Sequence, residues 1–513
     1  MKFIYIFILL IISISLFSQN VNNQQDTITR KVEIINSDIM EYDKNVVVGA
    51  NRLLGNVVFF HDSAYMFCDS AYFYQESNSF VAYSRVKMVR GDTVLFLCNL
   101  LNYDGNERLA KMRDSVVLKH NHTYLLTNFL DYDRNTEIAN YYKGGTILDS
   151  VNKLTSLRGY YYVKDRDYYA VDSVTLKNPD YYIVTDSLKY NTNSEIADFF
   201  GKTEIFSDTN YIYCEYGFYD TKHNYAAVSR NSWIRTGHNF IYGDSLYYDR
   251  NKGFAEAFNN VSLVDTTDNF IAFGDYGYYY ENPENALLTQ RVELQYITDE
   301  NDTIFMHADT IRITTDTNDL KLIRAFHHVQ IFKENLQARC DSMTFNQQDS
   351  IIHLFQNPFL WAEGNKQAKA EHIYGHFKDK KADYFVLKKN AFVIEKLDDI
   401  FYNQVSCDSI RVIITDNQID SINCFKNSKS IYYIPQDEES GLVNQMNYCE
   451  TVDMTIYINE KTLDYIWIYG KTDAYVYPIE RIPADKYKLQ NFNWQNDLRP
   501  FSKQEIFIWK EER

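Results

Sequence analysis

The sequence predicts an all-β fold assembled from about fourteen copies of one unit. Three observations carry the prediction. A motif recurs at a period of roughly 30 residues, apolar residues alternate inside each copy, and strand-favouring residues dominate, with 44 Tyr and 33 Phe against 7 Pro. A fixed period of this size marks a repeat architecture, in which each unit buries its apolar face against its neighbours. Alternation with a period of two is the signature of a strand with one face buried. Outside the N-terminus no long stretch has helical periodicity.

The unit is clearest from Cys68 to Phe96, CDSAYFYQESNSFVAYSRVKMVRGDTVLF. An Asp-like marker follows a small residue. The markers are Asp38, Asp69, Asn99, Asn128, Gly159, Asp186, Glu215, Asp244, Asp275, Asp309, Asp341, Glu371, Asp408 and Glu450, spaced 27 to 31 residues over the first eight steps and 30 to 42 later. Two places after the marker stand Leu101, Leu188 and Leu246; four places after stand Phe73, Tyr103, Tyr132, Tyr190, Tyr219, Tyr248 and Phe345. The residues between are mixed, as at Tyr72, Asn102 and Lys189, so one face is apolar. Before the marker the parity reverses, with Met66, Phe96, Leu125 and Ile241 three places earlier. That reversal makes the marker and its following Ser a corner or bulge, where carboxylate and hydroxyl can bond local backbone. Eleven places after the marker Ala recurs, at Ala110, Ala139, Ala170, Ala197, Ala226 and Ala255, which suggests close approach of another layer. The runs D-G-N-E, D-R-N-T and D-R-N-K supply turns. Each unit reads as about three short strands.

At the N-terminus, residues 1–18 are expected to be a signal peptide: Lys2 is the positive start and Phe3 to Phe17 the apolar core. The apolar run is short for a membrane span, and the polar stretch QNVNNQQDT follows. The mature protein is expected to be soluble and exported. Repeats occupy 32–280 and, more divergent, 304–477, with looser stretches at Glu281 to Thr303 and Pro435 to Asn447. Residues 478–513, with Pro478, Pro483, Pro500, Trp494 and Trp509, read as an irregular tail capping an end edge.

A net charge of −17 argues against nucleic acid, whose phosphates need a basic face, and against a polybasic membrane anchor. Six of the seven Cys (Cys68, Cys98, Cys214, Cys340, Cys407, Cys449) stand one place before the marker, where other units carry Gly, Ala or Thr. The slot asks for a small inward residue, and free thiols fill such sites. A bridge between Cys68 and Cys98 or between Cys407 and Cys449 is the alternative. No catalytic constellation stands out. His372 and His376 fall on a strand, where a four-residue spacing does not stack them as metal ligands, and His327-His328 falls where other units carry loop or strand starts. The Asp-Ser pairs lack a recurring His. No enzyme activity, cofactor or metal is expected.

Leu54-Gly55-Asn56-Val57-Val58-Phe59-Phe60 followed by Cys68-Asp69-Ser70-Ala71 resembles the repeat of the OstA-like family, periplasmic proteins of lipopolysaccharide transport. Asn260 to Val264 and Ala308 to Ile311 resemble further copies. The resemblance implies a β-jellyroll, taco-shaped in section and here elongated into a solenoid of many more units than one module of the family. It implies acyl chains held in an apolar groove between two sheets, lined by the plus-two and plus-four residues named above. It also implies docking of other Lpt-type envelope proteins by end-to-end strand addition. The rival expectations are a β-solenoid that binds polysaccharide through outward Tyr72, Tyr162, Tyr247 and Tyr278, or a structural envelope protein.

Overall fold

The computed structural model describes residues 31–512 other than 44, 46, 92, 209, 299–301, 380, 417, 437–442, 460 and 461. The expected signal peptide lies outside the described residues. Strands run from Glu33–Asn36 to Asp473–Pro478 and pair antiparallel, mostly with their sequence neighbours. The described residues divide into two compact units: one holds the residues up to 121 together with 128–136, the other 122–127 together with those from 137 onward.

The first unit displays the plan. Its strands Ala64–Tyr74, Ser79–Arg90 and Val94–Asp104 are 11, 12 and 11 residues long. A copy of the motif is therefore two long strands rather than three short ones. Each strand turns a corner at its middle. The register slips between Phe67 and Ser70, at the marker Asp69, and between Tyr83 and Val86, where Ser84 and Arg85 both have positive φ (61° and 48°). The corner folds each strand into two arms that face one another. Phe59, paired in register with Met66, stacks at 4.0 Å on Phe80, paired with Phe73, so a ring from each arm meets inside.

The corner explains the marker. Left-handed backbone costs a non-glycine residue roughly 1–2 kcal/mol, least for Asn and Asp. In most pairs the second strand carries two such residues and the marker on the preceding strand bonds one of them. Asp69 takes the Arg85 guanidinium at 2.8 Å. In the second unit Asp244 accepts from Asn260 at 2.9 Å, Glu215 from Asn231 at 2.9 Å and Asp408 from Asn427 at 3.0 Å. The partner thus lies across the strand pair, a side chain in these four cases and the Lys202 amide at Asp186. The register slip leaves the left-handed pair without a ladder partner, and the marker is the nearest acceptor.

The alanine rung also has a direct cause. Ala226 lies opposite Tyr219 on one neighbouring strand and opposite Tyr248 on the other, and Ala255 opposite Tyr248 and Tyr279. A small side chain between two rings leaves them room to reach the opposite arm. All seven cysteines are buried and free. Burial pushes the Cys68, Cys98, Cys214 and Cys340 thiols up to about 12.

The second unit repeats the plan up to Thr303–Thr315, and the looser stretch after Glu281 contains the strand Glu284–Ile297, paired on both sides. Beyond Leu336–Asn346 most corners break the strand in two, while Lys381–Lys396 and Tyr402–Thr415 run through theirs unbroken. Leu336–Asn346 pairs through one arm with Ile351–Phe355 and through the other with Phe359–Ala362, the corner between them being Gln356-Asn357 (φ 64° and 55°). After Pro478 the chain leaves the sheet and forms four short 3-10 turns.

Candidate functional site

Two cross-strand rows line the interior of the second unit. On the arm after the corner the row runs Tyr248, Ala255, Tyr279, Ala286, Ile313, Ile323, Phe345, Ile352, each opposite the next. On the arm before the corner it runs Ile241, Leu263, Ala272, Leu294, Met306, Ile331, Ala338, Leu360. Both rows are buried up to Ile313 and Met306, where exposure is 4% and 3%. Both become partly exposed at the same strand, Lys321–Lys333, through Ile323 and Ile331. Partial exposure continues at Phe345, Ile352, Phe385, Val412 and Ile422 on one arm, and on the other, past the buried Ala338, at Leu360, Ala368, Val393 and Val405. Nearer the corner, Ala325, Met343, Leu354, Ile373, Leu387 and Ile410 stay buried. The arms therefore part at the mouth and stay packed at the floor, which makes a cleft with apolar walls.

The closed stretch before it is held by hydrogen bonds at the mouth. The Tyr190 hydroxyl donates to Asp149 at 3.0 Å and accepts from Asn152 at 3.1 Å. Tyr248 donates to Glu281 at 3.1 Å and Tyr279 to Glu284 at 3.2 Å, while Asn210 and Asn239 donate to the same two tyrosines. Burial raises the tyrosine hydroxyls, Tyr219 to about 12, so they stay protonated and able to donate. The last tie is Lys321, which bridges Asp265 and Asp268 where the rows begin to part. Beyond it the plus-four position is Phe345, Gly375 and Val412, none with a hydroxyl to tie the arms.

The C-terminal segment backs the open stretch from outside. Gln330, Gln367 and Gln404, each 37 residues after the last, point away from the cleft and are 1–2% exposed. Each grips main chain of the segment. Gln330 donates to Ile506 and Ile508 carbonyls at 3.0 and 2.9 Å. Gln367 donates to Asn493 and accepts from the Gln495 amide, both at 2.7 Å. Gln404 donates to Tyr487 at 3.0 Å and accepts from the Leu489 amide at 2.9 Å. Ile482 and Leu489 join a cluster with Ile394, Ile431, Tyr433 and Met446, and Leu498 packs with Phe359 and Trp361. The arm that has lost contact with its opposite arm thus gains a packed layer behind it.

Of the residues expected to line a groove, Phe73, Leu101, Tyr103 and Tyr132 are buried inside the first unit, and Leu188, Tyr190, Tyr219, Leu246 and Tyr248 inside the closed stretch of the second. Phe345 stands in the cleft. Sequence reasoning did not single out Ile323, Ile331, Leu360, Phe385 or Val393. The signal available was the change at the plus-four position from tyrosine to aliphatic residues.

The chain is a β-jellyroll-type repeat protein, antiparallel in its pairings and folded at a corner in its long strand pairs, with an apolar interior. Residues 29–186 and 181–301 both match the model of the OstA-like protein family. These matches cover more than half of the chain, which belongs to that family. Among solved structures it is similar to LptH, the LptA homologous periplasmic component of the conserved lipopolysaccharide transport device from Pseudomonas aeruginosa. The likeness covers 21% of this chain and 81% of that one, at 17% identity and a TM-score of 0.20. No curated protein matches the chain.

Proposed function

We propose that this protein carries lipopolysaccharide, or a similar amphiphile, across the periplasm as a bridge component of transport to the outer membrane, with acyl chains in the cleft that begins at Ile323 and Ile331. The observation that carries the reading is the parting of both apolar rows at one strand, with an apolar floor beneath. Such a cleft accepts methylenes, and burying ten of them contributes ~8 kcal/mol. Membership of the OstA-like family supports the choice of lipid. The acidic chain favours recognition through acyl chains over recognition of phosphates. Carriage of this kind asks no bond-making of the protein.

The last strands support docking of other Lpt-type envelope proteins by strand addition. Thr462–Tyr469 and Asp473–Pro478 each pair on one side among the described residues. Their Trp467, Tyr469, Tyr475 and Val476 are 44–55% exposed. An open edge with uncovered aromatic residues is a template for another sheet.

The test is site-specific photocrosslinking in cells, with the probe at Val393 or Phe345 in the cleft and at Asn251 in a turn as control. A lipopolysaccharide adduct at the first two and none at Asn251 is expected. Absence of an adduct at Val393, Phe345 and Leu360, in protein shown to be exported and folded, overturns the reading.

A further inference from the structure

The outer face of the arm before the corner is one continuous surface with two fates. By register, Trp233, Tyr242, Ser262, Phe273, Glu293 and His307 form one cross-strand row, which continues to Gln330 and Arg339. From His307 onward the row is covered by the chain's own C-terminal segment. Phe507 lies 4.8 Å from the His307 ring, Gln330 grips the backbone between Ile506 and Ile508, and the Arg339 guanidinium sits 3.6 Å over Trp509. Before His307 the same face is aromatic and uncovered among the described residues. Trp233 is ringed by Tyr211 at 4.8 Å, Phe240 at 5.9 Å, Tyr242 at 6.2 Å and Tyr213 at 6.3 Å. Phe206 and Tyr242 at its margins are 38% and 37% exposed.

We propose that this platform docks a short segment of a partner protein that carries aromatic or aliphatic side chains flanked by lysine or arginine. The covered half of the surface supports this occupant, because there the face already binds polypeptide of that kind, as a 3-10 turn over Glu505–Phe507 and the run that follows it. The covering segment reads Lys503-Gln504-Glu505-Ile506-Phe507-Ile508-Trp509-Lys510, four apolar residues set between two lysines. The uncovered row ends at carboxylates on both sides, Glu204 opposite Tyr213 and Glu293 opposite Phe273, which suits basic flanks. Cross-strand pairing accounts for aromatic residues two at a time. Four rings converging on one tryptophan make a contiguous apolar patch of the composition that dominates binding hot spots.

The experiment titrates the intact protein with a fluorescein-labelled peptide of residues 502–511 and follows polarisation. Saturable binding is expected, weakened at least tenfold by Trp233→Ala and by Tyr242→Ala, with Gln330→Ala leaving it within twofold. Tyr242→Lys, a change at an exposed site, serves if Trp233→Ala lowers the melting temperature. Three results overturn the proposal: no saturable binding, binding that Trp233→Ala and Tyr242→Lys leave unchanged, or loss on Gln330→Ala, which means the peptide exchanges with the C-terminal segment. Displacement of the peptide by a neutral oligosaccharide at equal concentration also overturns it and assigns the platform to sugars.

Discussion

Tyr248 and Phe345 occupy the same rung, four places after a marker, one in the closed stretch and one in the cleft. Truncating each to Ala tests the parting of the arms. Tyr248 is 4% exposed and its ring fills the space between arms, so Tyr248→Ala is expected to cost ~3–5 kcal/mol, the range for buried aromatic residues. Its polar partners add little to that, because Asn210 still donates to Glu281 at 2.9 Å once the hydroxyl is gone. Phe345 is partly exposed, packed on Phe377 at 6.4 Å and open toward the mouth, so Phe345→Ala is expected to cost about half as much, ~2 kcal/mol. A repeat chain of this length does not unfold in one step, so a single melting curve cannot separate the two. Hydrogen exchange followed by mass spectrometry, across a urea series, reads each strand by itself. The lipid readout runs the other way: Phe345→Ala is expected to reduce the lipopolysaccharide adduct at Val393, and Tyr248→Ala to leave it. Equal local losses of stability at the two sites, or loss of the adduct with Tyr248→Ala alone, would refute the assignment of closed and open stretches.

Lys321→Ala strands Asp265, which is 3% exposed, and removal of one partner from a buried pair costs ~3–5 kcal/mol. Burial raises the Asp265 carboxyl, but the Lys321 ammonium and the Thr267 and Asp268 amides outweigh it and hold the group below its ordinary value. The wild-type contribution is therefore present above the ordinary Asp range and lost as pH falls through the lowered value. The penalty of the variant should shrink in acid, as read by urea midpoints from pH 7 to pH ~3. Gln404→Ala removes both bonds to the Tyr487–Leu489 main chain, at ~1–3 kcal/mol. Limited proteolysis should then cut near Leu489 at least tenfold faster, while an unchanged rate would count against the glutamine clamp. The four thiols raised to about 12 favour the folded state fully below pH 9, and that contribution fades as pH rises from 9 toward 12. At pH 8 the native protein should react with a thiol reagent far more slowly than the denatured protein, which should show all seven thiols.

Much of this was present in the order of residues. The period follows from the markers, most of which hold a corner, and Asp69 or Asp244 stands sixteen residues before the left-handed residue it holds. The inward face follows from alternation, which placed Leu101, Leu246 and Tyr248 in the interior. The slot before the marker read as small and inward, and Cys68 and Cys340 are buried there with free thiols. These features are local: a side chain's direction on a strand and the cost of a backbone angle are set within a few residues.

The cleft and the covered surface were decided elsewhere. Phe345 and Tyr248 obey the same alternation, yet one lies in an open stretch and the other under a hydrogen-bonded mouth, because closure depends on what the opposite arm offers. Tyr248 meets Asn210 and Glu281; no hydroxyl stands at Phe345 to be met. Gln330, Gln367 and Gln404 are polar residues within strands, yet they are 1–2% exposed. Their burial comes from main chain 83 to 178 residues away, and nothing near them in the sequence announces it. The sequence alone thus determined which face of each strand is apolar and where each strand turns. Whether two apolar faces touch, part, or gain a layer behind them is a sum over both arms and the C-terminal segment. That sum exists only once the chain has brought them together.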